Sequence, residues 1–155
     1  MEHSIIIVGD SEVGKTSYIK LLTTKICRLQ HVKTSDPRVY KYIHKKTTFK
    51  IYDTIGSEDV PDLSDYNIDY AIIMFDLTNS NSLNNIINYY NNIKDQDPNI
   101  NIILCGNKCD MRTNIYIDDV QDICDRLNIL HIVNISCKKK LHIYDPLDII
   151  IENNQ

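Results

Sequence analysis

Apolar residues fall along this chain in short runs separated by polar stretches, and the runs are of two kinds. Ser4 to Val8 is β-branched and ends at Gly9, which predicts a strand. From Lys15 the spacing changes, because Tyr18, Ile19, Leu21 and Leu22 recur near i, i+3 and i+4, which predicts a helix. Further strand-like runs stand at Val39 to Ile43, Phe49 to Tyr52, Tyr70 to Phe75, Ile100 to Cys105 and Leu130 to Ile135, making six predicted strands. Between the later strands, Ser82 to Lys94 and Ile117 to Leu127 are helix-length and polar on one side.

Strands that alternate with helices imply a doubly wound α/β fold, with a mostly parallel sheet flanked by helices on both faces. One pair departs from this rule. In "YKYIHKKTTFKIY" the only polar break between two alternating runs is Lys45 and Lys46, so these strands are expected to form an antiparallel hairpin and make the sheet mixed. The Asn-rich stretch "NSNSLNNIINYYNNI" keeps its apolar residues at helical spacing, and its bias reads as codon usage rather than disorder.

The length of 155 residues, 43% of them hydrophobic and 25% charged, fits one domain over residues 1–155. A net charge of −4 argues against free nucleic acid as a partner, since holding a polyanion takes clustered Lys and Arg. Cys27, Cys105, Cys109, Cys124 and Cys137 are scattered, odd in number and without zinc-ligand spacing, which fits reduced thiols in the cytoplasm or nucleus. No run reaches the length of a membrane span, Glu2 stands where myristoylation requires Gly, and "IIIENNQ" holds no cysteine to prenylate. A soluble protein without a lipid anchor is expected.

The chemistry concentrates first at "GDSEVGKT", which satisfies GxxxxGK followed by Thr and sits between a predicted strand and a predicted helix. Backbone N–H groups from Ser11, Glu12, Val13, Gly14, Lys15, Thr16 and Ser17 can converge there on phosphate oxygens. Lys15 is expected to reach the β and γ phosphates, and the Thr16 hydroxyl to ligate Mg²⁺. Ser11 and Glu12 fill positions often small or glycine in such loops, so the Glu12 carboxylate must point away from the phosphates.

Downstream, "YDTIGSE" places Asp53 at the carboxyl end of a strand, the side on which open α/β sheets bind ligands. Asp53 is expected to hold Mg²⁺ through water, and Gly56 to bring a backbone N–H to a γ phosphate. "LCGNKCD" follows another strand with Asn107, Lys108 and Asp110 spaced to read guanine. A carboxylate accepts from two adjacent donors, and guanine presents N1–H and N2–H side by side where adenine does not. The Lys108 stem can lie over the base and Asn107 can tie this loop to the phosphate loop. "ISCKKK" then supplies Ser136, Cys137 and Lys138, where a tight turn can aim the Cys137 N–H at the guanine carbonyl.

Taken in order, GDSEVGKT, DTIG, NKCD and SCK resemble the small GTPases of the Ras superfamily over almost the whole chain. Within it, "YAIIMFDLT", "IILCGNKCD" and the Pro146 after "SCKKKLHIYD" are most similar to Ran, which serves nucleocytoplasmic transport, with Rab next. The resemblance implies a G domain that binds GTP or GDP with Mg²⁺ and switches conformation. Its site would comprise Lys15 and Thr16 on phosphate and Mg²⁺, Asp53 and Gly56 at the γ phosphate, and Asn107, Lys108 and Asp110 on guanine. It also implies a monomer with karyopherin- or effector-type protein partners. The family's Mg²⁺-binding Thr of the first switch maps to Thr34 in "HVKTSDPRVY", counting from Thr16, with Ser35 as the alternative.

Three departures from the family pattern carry expectations. The Gln that normally orients the attacking water is replaced by Ser57, which is shorter and has no amide, so intrinsic hydrolysis is expected to be slow. The aromatic that leans on guanine should fall near Cys27, and neither Ile26 nor Arg28 supplies one, so exchange is expected to be fast. The carboxyl-terminal helix and acidic tail of Ran are absent after the short apolar stretch Leu147 to Ile151. An alternative reading is a decoy that stays GTP-loaded and sequesters partners of Ran or Rab without turnover.

Overall fold

In a computed structural model, which describes residues 1–23, 38–54 and 59–155 and the backbone of 28–29, the apolar runs form the expected strands. In chain order these are β1 (Glu2–Val8), β2 (Arg28–Leu29), β3 (Arg38–His44), β4 (Thr47–Asp53), β5 (Tyr70–Asp76), β6 (Asn101–Asn107) and β7 (His131–Asn134). The two-residue β2 is the addition to the expected set, and it pairs only at the edge, against Val39 and Tyr40. The sheet order is β2-β3-β4-β1-β5-β6-β7. All pairs from β4 through β7 are parallel, while β2 with β3 and β3 with β4 are antiparallel.

The hairpin turn falls on Lys45 and Lys46, with His44 paired to Thr47. Both lysines take positive φ, 45° and 67°, the type I′ geometry whose twist matches that of the flanking strands. Such a turn usually holds Asn-Gly, so this one stores some backbone strain. The hairpin tip is clasped to the last helix, α5 (Asp145–Glu152), by His44 Nε2 and Lys45 Nζ, which lie 2.7 Å and 2.9 Å from Asp148 Oδ1.

Four further helices are α1 (Lys15–Thr23), α2 (Ser80–Asn84), α3 (Ile86–Gln96) and α4 (Ile117–Leu127). The helix expected from Ser82 to Lys94 is covered by α2 and α3, which join at Asn85; its backbone is helical there, with Asn85 N–H donating to the Asn81 carbonyl and Tyr89 N–H to the Asn85 carbonyl, while its side-chain amide donates to Asp10. α4 matches its expected bounds and ends on Asn128 in the left-handed conformation, a common helix stop. α5 is a full helix opened by Pro146, where the sequence showed only a short apolar stretch.

Strand alternation divides the core between the two faces of the sheet. Ile5 and Ile7 pack with Tyr18, Ile19 and Leu22 of α1 and with Leu147 and Ile150 of α5. Ile6 and Val8 belong to the opposite face, with Ile86, Tyr89 and Ile93 of α3 and Val120 and Ile123 of α4. Every residue of β5 is buried, as a central parallel strand covered on both sides must be. With β4 on one side of β1 and β5 on the other, the chain reverses its winding at β1, so the crevice beyond the carboxyl end of β1 is where this topology places a ligand.

Candidate functional site

The loop that leaves β1 at this crevice turns on two glycines with positive φ, Gly9 at 145° and Gly14 at 107°. A Cβ on Gly9 would lie 2.2 Å from the Met74 carbonyl oxygen, and one on Gly14 would lie 2.1 Å from Asn107 Nδ2. Both positions therefore exclude any side chain. Val13 is buried, whereas Ser11 and Glu12 are exposed, and Glu12 takes a left-handed φ of 64°. The Glu12 side chain thus lies in solvent, as the expectation for a phosphate-binding loop requires.

Lys15 opens α1 and is only 7% exposed. Its ammonium donates to the carbonyl oxygens of Gly9 and Asp10, which holds the charge across the mouth of the loop. Thr16 is half-buried in the first turn of α1 and Ser17 is exposed. The loop is braced from α3, where Asn85 Nδ2 and Tyr89 OH donate to the two carboxylate oxygens of Asp10 at 2.8 Å and 2.9 Å. Asp10 and its partners had no role in the sequence reading. The signal available there was an acidic residue directly after the strand-ending glycine.

Asp53 ends β4 beside Ile7 of β1 and is 1% exposed, so its carboxylate is set into the floor of the crevice. The next residue, Thr54, donates its hydroxyl to the Ile7 carbonyl at 2.8 Å and fixes the exit of the strand. Thr34, Ser35, Gly56, Ser57, Ile26 and Cys27 lie outside the described residues, as does the Arg28 side chain.

The third part of the site is organised by Asn107, which is 3% exposed at the end of β6. Its Nδ2 donates to the Val13 carbonyl at 2.9 Å, and its Oδ1 accepts from the N–H groups of Lys108 at 2.8 Å and Cys137 at 3.1 Å. One side chain thus joins the loop after β1, the loop after β6 and the loop after β7. The expected tie between the first two is present. The Cys137 N–H, the candidate donor to a guanine carbonyl, donates to Asn107 Oδ1.

Lys108 adopts a positive φ of 69°, and its ammonium lies 2.5 Å from Asp76 Oδ2. Burial pushes the Asp76 carboxyl up, but hydrogen bonds from Lys108 and Thr78 outweigh it and hold the group below the usual carboxylate range. Asp76 also went unassigned in the sequence, although it ends β5 directly beside Asn107 in register. Asp110 accepts the Ser136 hydroxyl at 2.5 Å, and that bond keeps its carboxyl ionised below the ordinary value, with Lys138 and Lys139 adding a smaller attraction. Ser136 itself is fully buried and locked by paired backbone bonds with Leu141, while Lys138 is exposed.

Burial raises the thiols of Cys105, Cys109, Cys124 and Cys137, the last to about 11. None of these thiols is set up as a nucleophile at neutral pH. Among the described residues no group of three or more His, Cys, Asp and Glu side chains gathers to hold a metal. A hydroxyl at Thr16 and a carboxylate at Asp53 nevertheless fit Mg²⁺, which keeps several waters and takes few protein oxygens alongside phosphates.

A glycine-turned loop at the winding reversal, a buried lysine spanning it, and an Asn-Lys-x-Asp loop bonded to it make one nucleotide-binding arrangement. The model of the Ras family matches residues 4–155. The chain belongs to the Ras family. Ras-family proteins are guanine-nucleotide-binding switches, and the cofactors are GTP or GDP with Mg²⁺. No helix among the described residues is long and apolar enough to cross a membrane.

Proposed function

We propose that this Ras-family chain is a Ran-like switch, a single G domain over 1–155, that hydrolyses GTP slowly on its own and depends on a partner for faster turnover. The observation that supports a nucleotide switch is the three-way bond of Asn107, which joins the phosphate loop to the Asp110 loop, while the Ran-like and slow-turnover parts of the reading rest on the sequence resemblance and on Ser57. Phosphate and base are then gripped together, as a switch that must distinguish GDP from GTP without losing either requires. Karyopherin- or effector-type partners and residence in the cytoplasm or nucleus go with the Ran-like reading.

Within this site the Lys15 ammonium exchanges its carbonyl partners for phosphoryl oxygens and stabilises the charge that develops on them. Thr16 and, through water, Asp53 would hold Mg²⁺, with Thr34 as the further ligand, and the ion supplies neutralisation of charge on the β and γ oxygens. Gly56 would bring its N–H to the γ phosphate, the role that its place in DTIG implies. Ser57 is too short to hold the attacking water against it, so the water is placed by backbone groups or by a side chain from a partner.

The test is single-turnover hydrolysis of GTP by the purified protein beside Ser57→Gln. Slow turnover in the parent that rises at least tenfold in the variant is the expected result. Parent hydrolysis as fast as in a Gln-bearing relative would overturn the assignment to Ser57. Tight GTP binding with no turnover in either protein would overturn the switch.

A further inference from the structure

At the carboxyl end of β5 stands Asp76, a buried carboxylate that neither phosphate, Mg²⁺ nor base calls for, with its side chain only 9% exposed. Burying a charge is costly unless its oxygens are satisfied, and both are. Oδ1 accepts from the Thr78 N–H at 2.8 Å and from the Thr78 hydroxyl at 2.7 Å, while Oδ2 takes the Lys108 ammonium at 2.5 Å. The backbone beneath is pinned as well. The Asp76 N–H donates to the Ser82 hydroxyl at 2.9 Å, and the Leu77 N–H donates to the Asn107 carbonyl at 3.0 Å.

Lys108 is held from both ends in consequence. Its N–H donates to Asn107 Oδ1 at 2.8 Å, its carbonyl accepts from the Met111 N–H at 3.0 Å, and its ammonium is fixed on Asp76. A φ of 69° is one that residues with side chains avoid, so this turn persists because its surroundings hold it. Between the two anchors runs the alkyl stem, in a side chain that stays 34% exposed. A lysine stem free in water samples many rotamers, and fixing one at the moment of binding costs entropy. Asp76 fixes it beforehand.

We propose that Asp76 is a positioning residue for nucleotide binding, which locks Lys108 so that the lysine stem forms a preset apolar face for the purine. This role rests on the chain's being a guanine-nucleotide switch, and it divides Lys108 in two: the ammonium belongs to Asp76 and only the stem to the ligand. Any purine would feel such a face, whereas the 2-amino group of guanine is left to Asp110.

The test measures dissociation constants for GDP and for IDP, which lacks that amino group, with Mg²⁺ and the full chain, Asp76→Asn, Lys108→Met and the double variant. Asp76→Asn keeps the shape and an acceptor for Thr78 but turns an amide donor toward the ammonium. Both nucleotides should then bind about tenfold more weakly or worse, with their ratio unchanged. Lys108→Met keeps an unbranched apolar stem without its anchor and should lose a similar factor; adding Asp76→Asn to it should change neither affinity by more than about twofold, because Asp76 acts only through Lys108. Losses that add in the double variant, a GDP to IDP ratio altered by Asp76→Asn, or parental affinity in that variant would each overturn the inference. Failure of the parent itself to bind GDP would overturn the nucleotide switch, and this role with it. Should Asp76→Asn not fold, Thr78→Val removes one donor to Asp76 and repeats the cycle, with a loss of about threefold that Lys108→Met abolishes. Parental affinity in a folded Thr78→Val, or a loss that persists beside Lys108→Met, would again overturn it.

Discussion

Replacing Asn107 with Asp keeps the shape of the side chain and removes one donor. In the parent, Nδ2 donates to the Val13 carbonyl at 2.9 Å while Oδ1 accepts from two N–H groups. Asn107→Asp preserves the acceptor side but turns the donor into an anionic oxygen facing the Val13 carbonyl, at a position 3% exposed. Leaving a buried acceptor without its donor costs about 1–3 kcal/mol, and the repulsion of two oxygens adds to it. A loss of about 2–4 kcal/mol in nucleotide binding follows, which is about thirtyfold to a thousandfold in dissociation constant. Because the phosphate and base loops are uncoupled together, GDP and GTP should weaken alike, mostly through faster release. The assay is displacement of a fluorescent GDP analogue by excess GDP in a stopped flow, with thermal unfolding run beside it to show that the variant is folded. A release rate within threefold of the parent in a folded variant would refute the argument that Asn107 couples the loops.

Two further predictions concern the hairpin and its clasp. Lys46→Gly should stabilise the protein by about 0.5–1 kcal/mol, read from the denaturant midpoint, because relief of left-handed strain exceeds the added entropy of the unfolded chain. The Asp148 carboxyl is pushed up by burial but held lower overall by its bonds to Lys45 and His44. With a folded value below its unfolded 3.8, the unfolded state binds the proton more tightly, so the contribution of Asp148 is present above that value and is lost as pH falls through the folded one. Unfolding curves from about pH 5 to pH 3 should therefore show a shallower loss of stability for Asp148→Asn than for the parent. Parallel slopes would contradict the clasp.

The fold was legible because the strands are apolar runs bounded by polar turns, and a parallel core buries such runs whole. Alternation in β3 and β4 marked the one exception, and the Lys45-Lys46 break placed its turn. The parts that escaped have local causes. β2 is two residues long and has no periodicity to detect. α5 carries Pro146, which reads as a helix breaker until the pattern shows it at the first turn.

In the site, the glycine spacing and Asn-Lys-x-Asp were readable because each fulfils its role within a few residues. Asp10 and Asp76 were not, since their partners come from α3 and from the loop after β6, and a lone carboxylate at a strand end carries no signature of its own. A tie from Asn107 to the phosphate loop was legible, but not that its partner is the Val13 carbonyl. The third bond, to Cys137, required the register of the loop after β7.

In the function we propose, selection of guanine falls to Asp110, whose carboxylate accepts the Ser136 hydroxyl. Calorimetric titration of GTP, ATP and xanthosine triphosphate into the parent and Asp110→Asn measures that selection itself. Xanthine has a carbonyl where guanine has its amino group, so an Asn amide can donate to it while an Asp repels it. The parent should prefer GTP over both competitors by at least about a hundredfold, the worth of two bonds to a charged acceptor, and the variant should prefer xanthosine triphosphate. Equal binding of ATP and GTP by the parent, or an unchanged preference in a folded Asp110→Asn, would contradict the assignment of guanine recognition to Asp110.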